Sequence, residues 1–260
     1  MKLISALSIL AMVMMFAGVA SAAYPNSMAV IGDSISRAAL ADNTIDDDQP
    51  EHSWSTGTDA GDACNSHWER IKLVVPGVVG YNNAVNGSRA DDLLGQANTT
   101  VSNGVEYVTL EMGGNDVCRD TAAEMTPVAT YTAYWNEAID VLQAGLPSAK
   151  ILVCEVVNVG RVWDVGNTNF GCRYIKWPLF GFCKSMLQNG TTERNLAKAR
   201  NVEYNDALRT LSAAQGVYFD DDVYEVAFSR SQLSTVDCFH PAIACQALLA
   251  TATYDAARFN

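Results

Sequence analysis

Short apolar runs alternate along this chain with longer stretches in which apolar residues recur every three or four positions. The runs at 28–32, 78–81, 107–112, 150–157 and 217–220 read as short, buried strands. Between them, 90–101, 128–145 and 192–215 carry apolar residues at helical spacing, and 241–259 opens on Pro241, which suits a first helical turn. This alternation predicts an α/β fold: a central parallel sheet of about five strands, helices on both faces, and sites gathered at the carboxyl ends of the strands. Two regions interrupt the pattern, 42–65 and 160–190, and irregular segments of such length are usually functional or mobile. The second holds Trp163, Phe170, Tyr174, Trp177, Phe180 and Phe182. These rings either line an apolar substrate groove or form a satellite hydrophobic cluster.

The first residues have a separate purpose. Met1 and Lys2 make a short positive start, 3–19 is almost wholly apolar, and Ala20-Ser21-Ala22 fits a small-residue cleavage site. The expectation is a signal peptide over 1–22, maturation near Ala23 and a single domain over 23–260. An uncleaved N-terminal anchor is the alternative, because the apolar run approaches the ~18 residues that span a bilayer. No other segment is apolar and long enough to span. The mature chain is therefore expected to be secreted, extracellular or periplasmic, without stable membrane insertion.

The formal net charge of −12 and the lack of a basic run interleaved with aromatics argue against a nucleic-acid partner. The same acidity predicts no attraction to anionic lipid surfaces. Asp46-Asp47-Asp48 and Asp220-Asp221-Asp222 lack the spacing of a calcium loop and read as solvated loops. Seven cysteines in an exported chain predict disulfides. Cys154, inside a strand, is the expected free thiol. Short spacings suggest Cys172 with Cys183 and Cys238 with Cys245, leaving Cys64 with Cys118, among many possible connectivities.

Chemistry concentrates where strands end. Ser34 follows the first strand in Gly32-Asp33-Ser34, and Asp237-Cys238-Phe239-His240 lies far downstream. A serine hydroxyl is a poor nucleophile unless an adjacent base, itself oriented by a third group, takes its proton. His240 and Asp237 can supply both roles from one loop. Gly113-Gly114-Asn115-Asp116 follows another strand, and an Asn amide there can donate to an oxygen acquiring negative charge. A third strand leads into Asn83-Ala84-Val85-Asn86-Gly87-Ser88, which places a glycine N–H toward the same spot. Taken singly, Ser34 is as well explained as a helix cap, and Gly-Gly-Asn as a turn.

In order, these four blocks resemble the SGNH, or GDSL-type, hydrolase family. Gly32-Asp33-Ser34 matches its nucleophile block, with Ile35 where leucine is common, Gly87 its glycine block, Gly113 to Asp116 its asparagine block, and Asp237 to Pro241 its terminal block. Ser53-Trp54-Ser55-Thr56-Gly57, Asp92 to Ala97 and Gly113 to Cys118 resemble its secreted, phospholipase B-like and lipase-like branch. The resemblance implies a flavodoxin-like three-layer α/β/α fold and ester hydrolysis through an acyl-enzyme, without metal or organic cofactor. It assigns Ser34 as nucleophile, His240 as base and Asp237 as its orienting carboxylate. The oxyanion donors would be the N–H groups of Ser34 and Gly87 and the Asn115 amide.

Asp33 and Asp116 are expected to hold their turns. No Gly-x-Ser-x-Gly elbow is present, which argues against an ordinary α/β-hydrolase. His52, His67 and Cys64 lack the second ligand pair of a zinc site, so no metal is expected. Cys238 beside His240 reads as structural rather than nucleophilic. Asn86, Asn98 and Asn189 lie in glycosylation sequons. The expected substrate is a small-molecule or lipid ester, of lipase or phospholipase kind. Acetylated carbohydrate is the alternative, and a secreted binding module that keeps the fold without turnover is the rival from another class. Oligomeric state is left open.

Overall fold

The computed structural model describes residues 24–259; the expected signal peptide lies outside them. Five strands, β1 (Ser27–Gly32), β2 (Val79–Asn82), β3 (Tyr107–Glu111), β4 (Lys150–Cys154) and β5 (Tyr218–Asp220), form one sheet in the order β2-β1-β3-β4-β5. Every pairing is parallel, with Met28 opposite Tyr107, Tyr107 opposite Lys150 and Leu152 opposite Tyr218. The central strands β1, β3 and β4 are buried almost throughout, which is why their sequences are continuous apolar runs rather than alternating ones.

Alternate residues serve opposite faces. Ala29, Ile31, Val108, Leu110, Ile151 and Val153 join one core cluster, whereas Met28, Val30, Tyr107, Leu152 and Cys154 join another. The first is covered by α2 (Leu93–Asn103), α3 (Val128–Gly145) and α5 (Thr191–Gln215); the second by α1 (His67–Lys72) and α6 (Ile243–Tyr254). The result is the predicted three-layer α/β/α sandwich. Helices α2 and α5 stop on Gly104 and Gly216 in the left-handed conformation that favours glycine. Helix α1 was not expected from the apolar pattern. Its start carries a capping box, in which Ser66 and Glu69 satisfy each other's backbone N–H, and that pair is legible as Ser-x-x-Glu.

Neither interrupting region is structureless. In 42–65, Ser53, Trp54 and Ser55 are buried; Trp54 N–H donates to Gln246 and its indole N–H to Ser36, which ties the segment beneath the first turn. Region 160–190 is largely helical: α4 (Val159–Gly166), a continuous helical run over 170–180, and a short turn at Lys184–Leu187. The expected disulfide pairing is incorrect. Cys118 bonds Cys183 and Cys172 bonds Cys238, leaving Cys64, Cys154 and Cys245 as buried thiols. The helix Trp177–Phe180 separates Cys172 from Cys183, so each turns to a different loop of the sheet's carboxyl edge, and Cys245 is buried on α6. Among the described residues no helix is long and apolar enough to cross a membrane.

Candidate active site

The strand order reverses direction between β1 and β3, and such a switch point opens a crevice beyond the carboxyl ends of those strands. Ser34 lies two residues past β1, Gly87 in the turn after β2, and Asn115 just past β3. His240 and Asp237 arrive from the loop before α6, which a bridge between Leu233 and Pro241 closes at its base. His240 Nε2 is 2.9 Å from Ser34 Oγ across 206 residues of sequence. Its Nδ1 is 2.6 Å from Asp237 Oδ2, whose other oxygen accepts the N–H groups of Phe239 and His240. Asp237 is fully buried, so its charge is held by hydrogen bonds rather than solvent. In the tautomer that Asp237 favours, Nδ1–H donates to the carboxylate and Nε2 is free to accept the serine proton.

The expected oxyanion donors face the same groove as Ser34 and His240. Gly87 has φ +78°, a left-handed conformation, and space for a Cβ is open there, so the backbone conformation is what calls for glycine. Among the described residues neither Ser34 N–H nor Gly87 N–H has a protein acceptor. The Asn115 amide does: it donates to Asp33 Oδ2 at 3.2 Å and to the Ser88 carbonyl at 2.9 Å. These bonds engage both amide hydrogens, so one of them must be exchanged before the amide can donate to a bound oxyanion.

Asp33 holds its own turn as expected, whereas Asp116 ties its turn to two remote segments. Asp33 Oδ1 accepts the Ile35 N–H, and Asp116 accepts the Ala90 N–H and the Thr126 hydroxyl. Burial pushes the Asp33 carboxyl up to about 6, against opposing hydrogen bonding from Ile35 and the nearby His240. Behind it, Glu111 is buried with neither carboxyl oxygen hydrogen-bonded, and burial together with Asp33 holds its pKa well above the usual range.

Two glutamines that carried no role in the sequence brace the site. Gln96 of α2 accepts the Gly32 N–H and donates to the Gly32 carbonyl and Ser88 hydroxyl, joining the nucleophile turn to the glycine turn. Gln246 of α6 accepts from Trp54 N–H and donates to the Ile35 carbonyl. Their helical spacing marks them as core-facing, which is the one signal that pointed to them. His52, His67 and Cys64 do not converge: His67 is held between Tyr107 and Thr253, His52 bonds Asp62, and Cys64 lies against the Ser53 carbonyl. Burial drives the His67 pKa down to about 3, so its ring is a neutral core group.

Two cavities meet at Ser34, Asn115, Phe239 and His240. One is a narrow apolar crevice lined by Val157, Val162, Val226, Phe228, Leu233 and Leu249. The other is an open groove of about 1040 Å³ bordered by Leu40, Asp47, Asn86, Gly87, Phe180 and Phe182. Phe182 sits edge-on to His240, with ring centroids 5.6 Å apart. The aromatic region forms no satellite cluster: Trp177 is buried in the main core, and Phe180 and Phe182 line the open groove.

The profile of the GDSL-like lipase/acylhydrolase family matches residues 28–253. The chain belongs to that family. This GDSL-like protein is accordingly a carboxylic ester hydrolase. Its fold is similar to that of an acetyl xylan esterase from Geobacillus stearothermophilus, at 13% identity and a TM-score of 0.59 over 92% of this chain and 98% of the other. An α/β hydrolase enzyme from the metagenome of Lake Arreo, Spain, matches at 17% identity, a TM-score of 0.59 and the same coverages. An extracellular lipase from Streptomyces rimosus matches at 17% identity and a TM-score of 0.54, over 88% of this chain and 100% of the other. No curated protein matches by sequence.

Proposed function

We propose that this GDSL-like hydrolase is a secreted serine esterase that attacks acyl esters with Ser34, using His240 as general base and acid and Asp237 to orient and stabilise the imidazolium. The hydrogen-bonded line Asp237–His240–Ser34, at 2.6 and 2.9 Å, carries the reading. Ser34 Oγ adds to the ester carbonyl as its proton passes to His240 Nε2, and the resulting oxyanion accepts from Ser34 N–H, Gly87 N–H and the Asn115 amide. His240 then returns the proton to the departing alcohol. Water, activated by the same imidazole, releases the acid and restores Ser34.

The acyl group belongs in the apolar crevice, where aliphatic side chains remove it from water, and the alcohol in the open groove. That division supports an acyl-chain substrate over an acetyl group, which would leave the crevice empty. Export is supported by the N-terminal pattern of 1–22 and by two disulfides.

The test is hydrolysis of p-nitrophenyl esters from acetate to palmitate by the wild type and Ser34→Ala, with fluorophosphonate labelling read by mass spectrometry. Label on Ser34 and loss of turnover in the variant are expected. Label on another serine, or full activity in Ser34→Ala, would overturn the assignment.

A further inference from the structure

Residues 170–180 form one continuous helical run, with a π turn at Cys172–Lys176 leading into Trp177–Phe180. Its inner face is buried: Cys172 is bonded to Cys238, and the Trp177 indole N–H donates to the Cys238 carbonyl. A helix that packs one face on a core normally turns polar side chains outward. This one does not. Phe170, Tyr174, Ile175 and Leu179 are 69%, 59%, 53% and 75% exposed, and Phe170 and Tyr174 already touch, with ring centroids 5.4 Å apart. Clustered exposed apolar side chains of this kind mark an interaction surface.

The charge of this segment also departs from that of the whole. Between 165 and 192 the chain carries Arg173, Lys176 and Lys184 and no Asp or Glu, although the net charge is −12. Lys184 pairs with Asp120; Lys176 donates to the Thr235 carbonyl and Arg173 lies against the Trp163 and Tyr174 rings, both half-buried, and neither pairs with a carboxylate among the described residues. The expectation of no attraction to anionic lipid rests on the net charge, and the local charge of this segment departs from it. Its position matters too. Leu179 adjoins Phe180, which borders the open groove and stacks on Phe182, the ring against His240.

We propose that the outer face of the 170–180 helix is a docking surface for a lipid–water interface bearing anionic headgroups, entered by Phe170, Tyr174, Ile175 and Leu179, so that the groove opens onto lipid. Apolar side chains flanked by cations are what interfacial helices present. A second copy of the chain fits less well, because a two-fold contact would set this cationic patch against its own copy. The purpose of docking rests on the esterase reading, whereas the docking itself does not.

The experiment is co-sedimentation of the Ser34→Ala protein with vesicles of phosphatidylcholine and phosphatidylglycerol, which prevents turnover during binding. Binding that weakens with salt is expected, and Phe170→Ser with Leu179→Ser in the same background should weaken it about tenfold or more. In the Ser34 protein those two changes should leave hydrolysis of a water-soluble butyrate ester unchanged, which also reports that the variant is folded. If it is not, Leu179→Gln alone, at a largely exposed site, gives the same reading. Absence of vesicle binding, equal binding by the variants, or a dimer that these changes dissolve in sedimentation would each overturn the proposal. Activity retained in Ser34→Ala would instead sink the assignment of Ser34 as nucleophile and leave the vesicle result standing.

Discussion

Cys172 is disulfide-bonded to Cys238, the residue directly after Asp237 and two before His240. The 170–180 helix is thereby tied to the loop that holds base and carboxylate, and Trp177 reinforces the tie through the Cys238 carbonyl. Cys238 itself has φ +59°, a conformation its loop must hold for His240 to face Ser34.

Replacing both partners, Cys172→Ala with Cys238→Ala, is expected to destabilise the fold by about 2–4 kcal/mol. It should also lower kcat with little change in KM for a small soluble ester, because the loop then holds His240 less firmly. Urea unfolding and steady-state kinetics would check this. Undiminished kcat at full folding would show that the loop holds its geometry without the bond.

Asn115→Asp preserves shape and removes the amide donor. Losing one oxyanion donor typically reduces turnover ~10²–10³-fold, so kcat should fall by that order while KM stays near the wild-type value. Asn115→Ala should do the same, and both changes leave Asp33 Oδ2 without its side-chain donor. A change below about threefold in both variants would remove Asn115 from the oxyanion role.

The strand-end residues were legible because each is local: Ser34, Gly87 and Asn115 sit within a few residues of the strands that place them, and Asp237 and His240 share one loop. Helices α3 and α5 were legible from apolar spacing alone. The 160–190 region was not, since Gly166, Gly171, Pro178 and Gly181 punctuate it as if it were loop. Pro178 in fact lies inside the continuous 170–180 helical run, just past its π turn, and Gly181 closes that run in a left-handed conformation. Disulfide partners were hidden for another reason. Proximity in space here joins the helical insertion to the turns after β3 and before α6, and spacing along the chain carries none of that. The crevice likewise draws Val162, Val226 and Leu249 from three separate segments.

Those three side chains make the crevice testable. Val162→Phe or Val226→Phe should fill it, and overpacking a closed apolar site typically costs ~1–3 kcal/mol. Octanoate and longer esters should lose kcat/KM by about tenfold or more. Acetate should be nearly unaffected, because its methyl group does not reach that far. A uniform loss across the ester series would place the acyl chain elsewhere, with the open groove the next candidate.

Asp33 ties stability to pH in a direction opposite to most carboxylates. Its folded pKa is raised by burial from 3.8 to about 6, so the native state holds this proton more tightly than the unfolded chain. Stability from this group is complete below about pH 4, falls as pH rises toward 6, and is level above. The ionised form at pH 7 therefore costs on the order of 3 kcal/mol. Asp33→Asn keeps an acceptor for the Ile35 N–H but has no charge to bury. It should match the wild type near pH 3 and exceed it at pH 7 by about 1–3 kcal/mol in urea unfolding. Glu111 and Asp220 are also raised by burial, and Asp33 contributes to the rise of Glu111, so the difference between the two proteins reports Asp33 together with its effect on Glu111. The gain should come with a lower kcat, since the Asn115 amide loses the carboxylate that aims it. Equal pH dependence in both proteins would mean that Asp33 keeps its charge without cost, and an unchanged kcat would mean that its contact with Asn115 is incidental.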